Sequence, residues 1–120
     1  MDKRRILVVD DSPLVAESIK AKLEASSYEV NVAYSGEEAL DKIKESPPDL
    51  MILDVYMPGI DGFEVCRRLR DNPDTHSLPV VMLSSRGNIK EKLAGFRAGA
   101  DDYLVKEFDL ADLPYRVKLV

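Results

Sequence analysis

Six polar residues in this chain stand immediately after short apolar runs, and their types suit phosphoryl chemistry. Asp10 and Asp11 follow Ile6–Val9, Asp54 follows Leu50–Leu53, Ser84 and Ser85 follow Val80–Leu83, and Lys106 follows Tyr103–Val105. Three carboxylates gathered at one edge repel one another and raise one another's pKa values. Such a cluster calls for a hard divalent cation. Mg²⁺ fits, because it keeps several waters and takes one or two carboxylates together with phosphate oxygens. A carboxylate is also a competent nucleophile and forms an aspartyl phosphate. Phosphoryl transfer then needs positioning and charge neutralisation more than covalent help. The metal ion and the Lys106 ammonium, a point charge toward phosphate, supply that. Ser84 is placed to donate a hydrogen bond to a phosphate oxygen.

The elements that must position these residues are legible in the same pattern. Five apolar runs, Ile6–Val9, Val30–Ala33, Leu50–Leu53, Val80–Leu83 and Tyr103–Val105, read as strands of a parallel sheet covered on both faces. Helical spacing fills the intervals. Val15, Ile19 and Leu23 share one face, as do Ala39, Leu40 and Ile43, then Phe63, Cys66 and Leu69, then Ile89, Leu93 and Phe96. Ser12 with Pro13 marks the first helix start, and Ser35 with Glu38 has capping-box spacing. Asp61 with Glu64 and Asn88 with Glu91 imitate it. Pro47 and Pro48 stop the second helix, and Asn72 with Pro73 the third. The result is a (βα)5 chain, an α/β three-layer αβα sandwich built by right-handed crossovers. Ligands of open parallel sheets lie beyond the carboxyl ends of the strands, where the six residues fall.

Composition bounds the function. The 120 residues suit one domain, with 45% hydrophobic and 32% charged residues. No apolar run approaches the ~20 residues of a membrane helix, and the run after Arg5 is too short for a signal peptide, so the expected location is the cytoplasm. The net charge of −5 argues against a nucleic-acid surface. The single Cys66 excludes an internal disulfide, and the single His76 makes a histidine-based metal site or a catalytic triad a poor fit. A haloacid-dehalogenase-type phosphatase wants an Asp-x-Asp pair after strand one, whereas Asp10 and Asp11 are adjacent. A flavin mononucleotide module needs a phosphate-cradling loop there, and two aspartates would repel phosphate. A pure interaction domain that is never phosphorylated would not need Asp11, Asp54 and Lys106 intact.

Four segments in order give a family resemblance: Ile6-Leu-Val-Val-Asp-Asp11, Asp54-Val-Tyr-Met-Pro-Gly-Ile-Asp-Gly62, Val80-Val-Met-Leu-Ser-Ser85 and Gly99-Ala-Asp-Asp-Tyr-Leu-Val-Lys106. The sequence resembles the receiver domains of two-component signalling over essentially its whole length. That resemblance implies a flavodoxin-like fold with sheet order 2-1-3-4-5. It implies that Asp54 is the phosphoacceptor and Asp11 the chief metal ligand. Asp10 helps directly or through water, and the main-chain carbonyl of Tyr56 completes the protein's contacts to Mg²⁺, with Mn²⁺ a substitute. Lys106 would contact the phosphoryl group. Ser84 matches the switch hydroxyl and Tyr103 the switch aromatic, which swings inward on phosphorylation and reshapes the face made by helix four, strand five and helix five. Tyr56 and Arg86 would tune the loss of phosphate. The implied partners are a histidine kinase or phosphotransfer protein, with a homodimer through that same face, and neither nucleic acid nor membrane.

Two positions depart from the family pattern. Glu107 stands where proline usually follows the strand-five lysine. A cis bond without proline costs ~3–4 kcal/mol, so a trans bond is expected. Pro114 falls where helix five would run, so a kink or a late start is expected.

Overall fold

The computed structural model describes residues 3–106 and 110–120. Five parallel strands, β1 (Arg5–Val9), β2 (Glu29–Ala33), β3 (Leu50–Asp54), β4 (Val80–Ser84) and β5 (Asp102–Val105), form one sheet in the order β2-β1-β3-β4-β5. The expected strands and order are thus present, and the flavodoxin-like topology is the observed one. The helices are α1 (Pro13–Glu24), α2 (Gly36–Glu45), α3 (Gly62–Asp71), α4 (Ile89–Ala98) and α5 (Leu113–Lys118).

Strand alternation splits the core in two. Ile6, Val8, Leu50, Ile52, Val81 and Leu83 pack against α1 and α5. Leu7, Val9, Met51, Leu53, Val80 and Met82 pack against α2, α3 and α4 on the other face. Helices on both faces of a parallel sheet make the three layers.

Helix starts follow from side-chain caps. Ser12, Ser35, Asp61 and Asn88 each accept a hydrogen bond from the main-chain N–H three residues on, at 3.3, 3.0, 2.9 and 2.9 Å. α2 and α3 stop before the prolines, at Glu45 and Asp71. Pro114 occupies the first turn of α5 behind a 3-10 turn at Leu110–Asp112, so the last helix starts late, where proline's missing N–H is harmless. The Lys106–Glu107 bond and its isomer lie outside the described residues.

One apolar helix face lies outward. Ile89, Leu93 and Phe96 of α4 share a face and are 75%, 45% and 47% exposed. α4 packs through its small residues Gly95 and Ala98. A β-carbon on Gly95 would stand 2.7 Å from the Tyr103 ring and 3.1 Å from the Met82 sulfur. The close approach needs that glycine and turns the apolar stripe outward.

Candidate functional site

The carboxyl ends of β1, β3, β4 and β5 bring the sequence-derived residues together. Asp10, Asp11 and Asp54 each offer an oxygen, and these lie within 4.8 Å of one another. Asp10 and Asp54 are buried, at 1% and 6% exposure, while Asp11 is open to solvent. The Lys106 ammonium reaches Asp10 at 2.9 Å and Asp54 at 3.2 Å. Asp10 is further fixed by the Ser12 N–H, which donates to its Oδ1 at 2.9 Å. Its own N–H donates to the Ala33 carbonyl, tying the β1 exit to the end of β2.

Charge in this corner is out of balance. Burial, and then the neighbouring Asp10 charge, push the Asp54 carboxyl up to about 6; Lys106 opposes them and Asp11 adds to them. Burial pulls the Lys106 ammonium down, but its bond to Asp10 and the Asp54 charge outweigh that and hold it above the usual lysine value. Three carboxylates facing one ammonium leave excess negative charge at an all-oxygen cluster with one exposed member. That donor set fits a hard divalent cation that retains water.

The β3–α3 connection is held close to Asp54. The Gly62 N–H donates to the Val55 carbonyl at 2.7 Å. A β-carbon at Gly62 would lie 2.5 Å from the Asp54 carbonyl oxygen, so only glycine lets α3 begin there. The Ser84 side chain is buried, and its Oγ accepts the Arg86 N–H at 3.1 Å. Tyr103 is buried at 4% exposure, and its hydroxyl donates to the Arg86 carbonyl at 2.7 Å. The ring expected to swing inward thus already lies inward in this structure. Burial raises the Tyr103 hydroxyl above the usual tyrosine value.

Three residues near the site carry contacts that sequence reasoning did not assign. The Tyr56 hydroxyl donates to the Glu91 carboxylate of α4, which the sequence presents only as a helix-start glutamate. The Arg86 guanidinium lies over the Tyr56 ring, 4.2 Å from its centroid. Gly95 accommodates Tyr103. A glycine inside a helix, which costs ~1 kcal/mol against alanine, was the one signal available. Nothing local announces the Tyr56–Glu91 pair.

Comparison with known proteins agrees with this geometry. Residues 6–118 match the family model of the response regulator receiver domain. The response regulator MprA of Mycobacterium avium is 48% identical over 114 residues, 95% of this chain and 49% of that protein. The chain therefore spans about half the length of such curated relatives. Among solved structures, chemotaxis protein CheY4 of Vibrio cholerae aligns with TM-score 0.92 and 32% identity, covering 99% of both chains. The response regulator TrrA of Thermotoga maritima, in complex with Mg²⁺ and BeF, aligns with TM-score 0.85 and 39% identity, covering 97% of each.

Proposed function

The chain belongs to the response regulator receiver family of two-component signalling, and from that premise we propose that its 120 residues act as one phosphoacceptor domain with Asp54 as the acceptor. An Asp54 carboxylate oxygen attacks the phosphorus of the donor, a phosphohistidine of a histidine kinase or phosphotransfer protein. The bond from phosphorus to the donor nitrogen breaks, the nitrogen keeps the electron pair, and an acyl phosphate forms. Asp10, Asp11, Asp54 and the Tyr56 main-chain carbonyl would hold Mg²⁺, or Mn²⁺ in its place. The bound cation would neutralise charge on the phosphoryl oxygens. Lys106 would move its ammonium onto the phosphoryl group, and Ser84 would turn its hydroxyl toward a phosphoryl oxygen. The domain is a signalling switch and not a metabolic enzyme.

The observation that carries this reading is the Asp54 carboxylate, buried at a strand end, 3.2 Å from the Lys106 ammonium and clustered with Asp10 and Asp11. The output surface is the α4-β5-α5 face. Ile89, Leu93 and Phe96 of α4, Tyr115 of α5 and Leu119 just after it are exposed and suit a homodimer contact or a following domain. No helix of the described residues is long and apolar enough to cross a membrane; the proposed location is the cytoplasm.

The test is incubation with Mg²⁺ and acetyl phosphate, followed by intact mass. The wild type is expected to gain one phosphoryl group, and Asp54→Ala none. Equal labelling of the two would remove Asp54 from the chemistry.

A further inference from the structure

The glutamates three residues past the caps of α2, α3 and α4 have different partners. Glu38 of α2 accepts the Tyr34 N–H at 2.9 Å and closes the ring of bonds at its own helix start. Glu64 of α3 pairs with Arg67 and Arg68 of its own helix at 3.3 and 3.0 Å. The Glu91 backbone is capped by Asn88, but its carboxylate leaves α4 and takes the hydroxyl of Tyr56, 35 residues away. Tyr56 stands two residues past Asp54. Its ring is also edged by Phe63, with centroids 6.3 Å apart at 88°, and covered by Arg86. Arg86 in turn donates its N–H to Ser84 and accepts the Tyr103 hydroxyl at its carbonyl. The Glu91–Tyr56 bond therefore closes a circuit from the β3 strand end, through α4, to the β4 strand end.

We propose that Glu91 is a positioning residue for the phosphoacceptor site: through the Tyr56 hydroxyl it fixes the Tyr56 ring, two residues past Asp54, and the Arg86 guanidinium that covers that ring, two residues past Ser84, and so sets how long the aspartyl phosphate survives water. The inference rests on Asp54 being the phosphoacceptor. In hydrolysis a water oxygen attacks phosphorus, the bond from phosphorus to the Asp54 carboxyl breaks, the carboxylate leaves with the electron pair, and inorganic phosphate and a proton are released. A ring and guanidinium held in place exclude that water; a ring freed from α4 admits it. The same bond joins the site to the exposed apolar stripe of α4, so the output face is linked mechanically to the phosphoryl lifetime.

The experiment compares wild type, Glu91→Ala, Glu91→Gln, Tyr56→Phe and the Tyr56→Phe/Glu91→Ala double variant. Each is labelled with acetyl phosphate and Mg²⁺ and freed of donor, and the loss of the phosphoryl mass is timed. Tyr56→Phe keeps the ring and the main-chain carbonyl and deletes only the hydroxyl. Glu91→Ala and Tyr56→Phe are each expected to shorten the half-life roughly three- to tenfold, the size of one ordinary net hydrogen bond. The double variant should match the single ones, because one bond is removed only once. Glu91→Gln, which keeps an acceptor oxygen, should stay within about twofold of wild type. Unchanged half-lives with a lowered melting temperature would make Glu91 a structural helix-start residue and overturn the proposal. So would effects that multiply in the double variant. A wild type that takes no label on Asp54 would remove the phosphoacceptor reading itself, a different failure.

Discussion

The two ends of the sheet treat charge in opposite ways. At the amino end Arg5, Asp49, Arg70 and Asp101 each have partners. Arg70 of α3 donates to the carbonyls of Gly99, His76 and Leu78 at 3.0, 3.0 and 2.7 Å, and to Asp101 at 3.2 Å. Asp101 also accepts the Val80 N–H at 2.8 Å. Asp49 accepts the Arg5 N–H at 2.7 Å, while the Arg5 guanidinium reaches Ser46 and Pro47. At the carboxyl end three carboxylates cluster, one ammonium reaches two of them, and Asp54 is pushed up to about 6. One end is satisfied and holds loops together. The other is held in an unsatisfied state that a cation and a phosphoryl group would relieve. Stability and function are therefore separable by position along the strands.

The largest effect expected from this contrast is at Arg70. Arg70→Ala leaves three carbonyls and Asp101 without their common donor, and should cost about 3 kcal/mol in urea unfolding. Its labelling by acetyl phosphate, per folded molecule, should match wild type. A labelling defect in the folded variant would join the two ends and break the contrast.

Asp54→Asn should act in the opposite sense. The folded domain holds a proton on Asp54 up to about pH 6, against 3.8 for the free side chain. Between those values the folded state binds more protons than the unfolded one, so stability falls as pH rises. The penalty is complete above pH 6 and amounts to about 3 kcal/mol. In chelator, Asp54→Asn should therefore exceed wild type at pH 7 by roughly 1–3 kcal/mol and lose that advantage toward pH 4. Millimolar Mg²⁺ should stabilise wild type more than the variant. Wild type gaining stability relative to Asp54→Asn from pH 4 to 7 would contradict crowding at this end.

Strands and caps were legible because each rests on local chemistry, whereas the sheet order followed from the family resemblance. Aliphatic runs make buried parallel strands, and Ser12, Ser35, Asp61 and Asn88 cap whatever helix follows them. The cluster was legible because strand ends of a parallel sheet converge. The orientation of α4 was not. A stripe at Ile89, Leu93 and Phe96 says that one side of a helix is apolar, not what it meets, and here Gly95 and Ala98 win the core. The Glu91–Tyr56 pair was illegible for a similar reason: a glutamate three residues past a cap has a local reading that hides its distant partner. Pro114 could be read as a late start because proline acts on its own backbone.

The smallest effects come from one glycine at each end. Gly99 closes α4 at the amino end with φ of +110°, and a β-carbon there would meet Arg70 Cγ at 2.7 Å. Gly99→Ala carries the strain of a left-handed backbone, ~1–2 kcal/mol, but the obstructing atom belongs to a long side chain that can move. Gly62 starts α3 at the carboxyl end with ordinary backbone angles open to it, yet its β-carbon would strike main-chain atoms, Asp54 O at 2.5 Å and Val55 Cα at 2.9 Å. Backbone cannot step aside, so Gly62→Ala must shift either α3 or the end of β3, at a cost of ~1–3 kcal/mol. The stability losses should therefore be alike. The labelling rates should not: Gly99→Ala should label as wild type does, whereas Gly62→Ala should label several-fold more slowly, because the shift falls on the residue that receives the phosphoryl group. Equal labelling of the two would mean that the Asp54 main chain tolerates displacement, and the division between a holding end and a reacting end would lose its sharpest support.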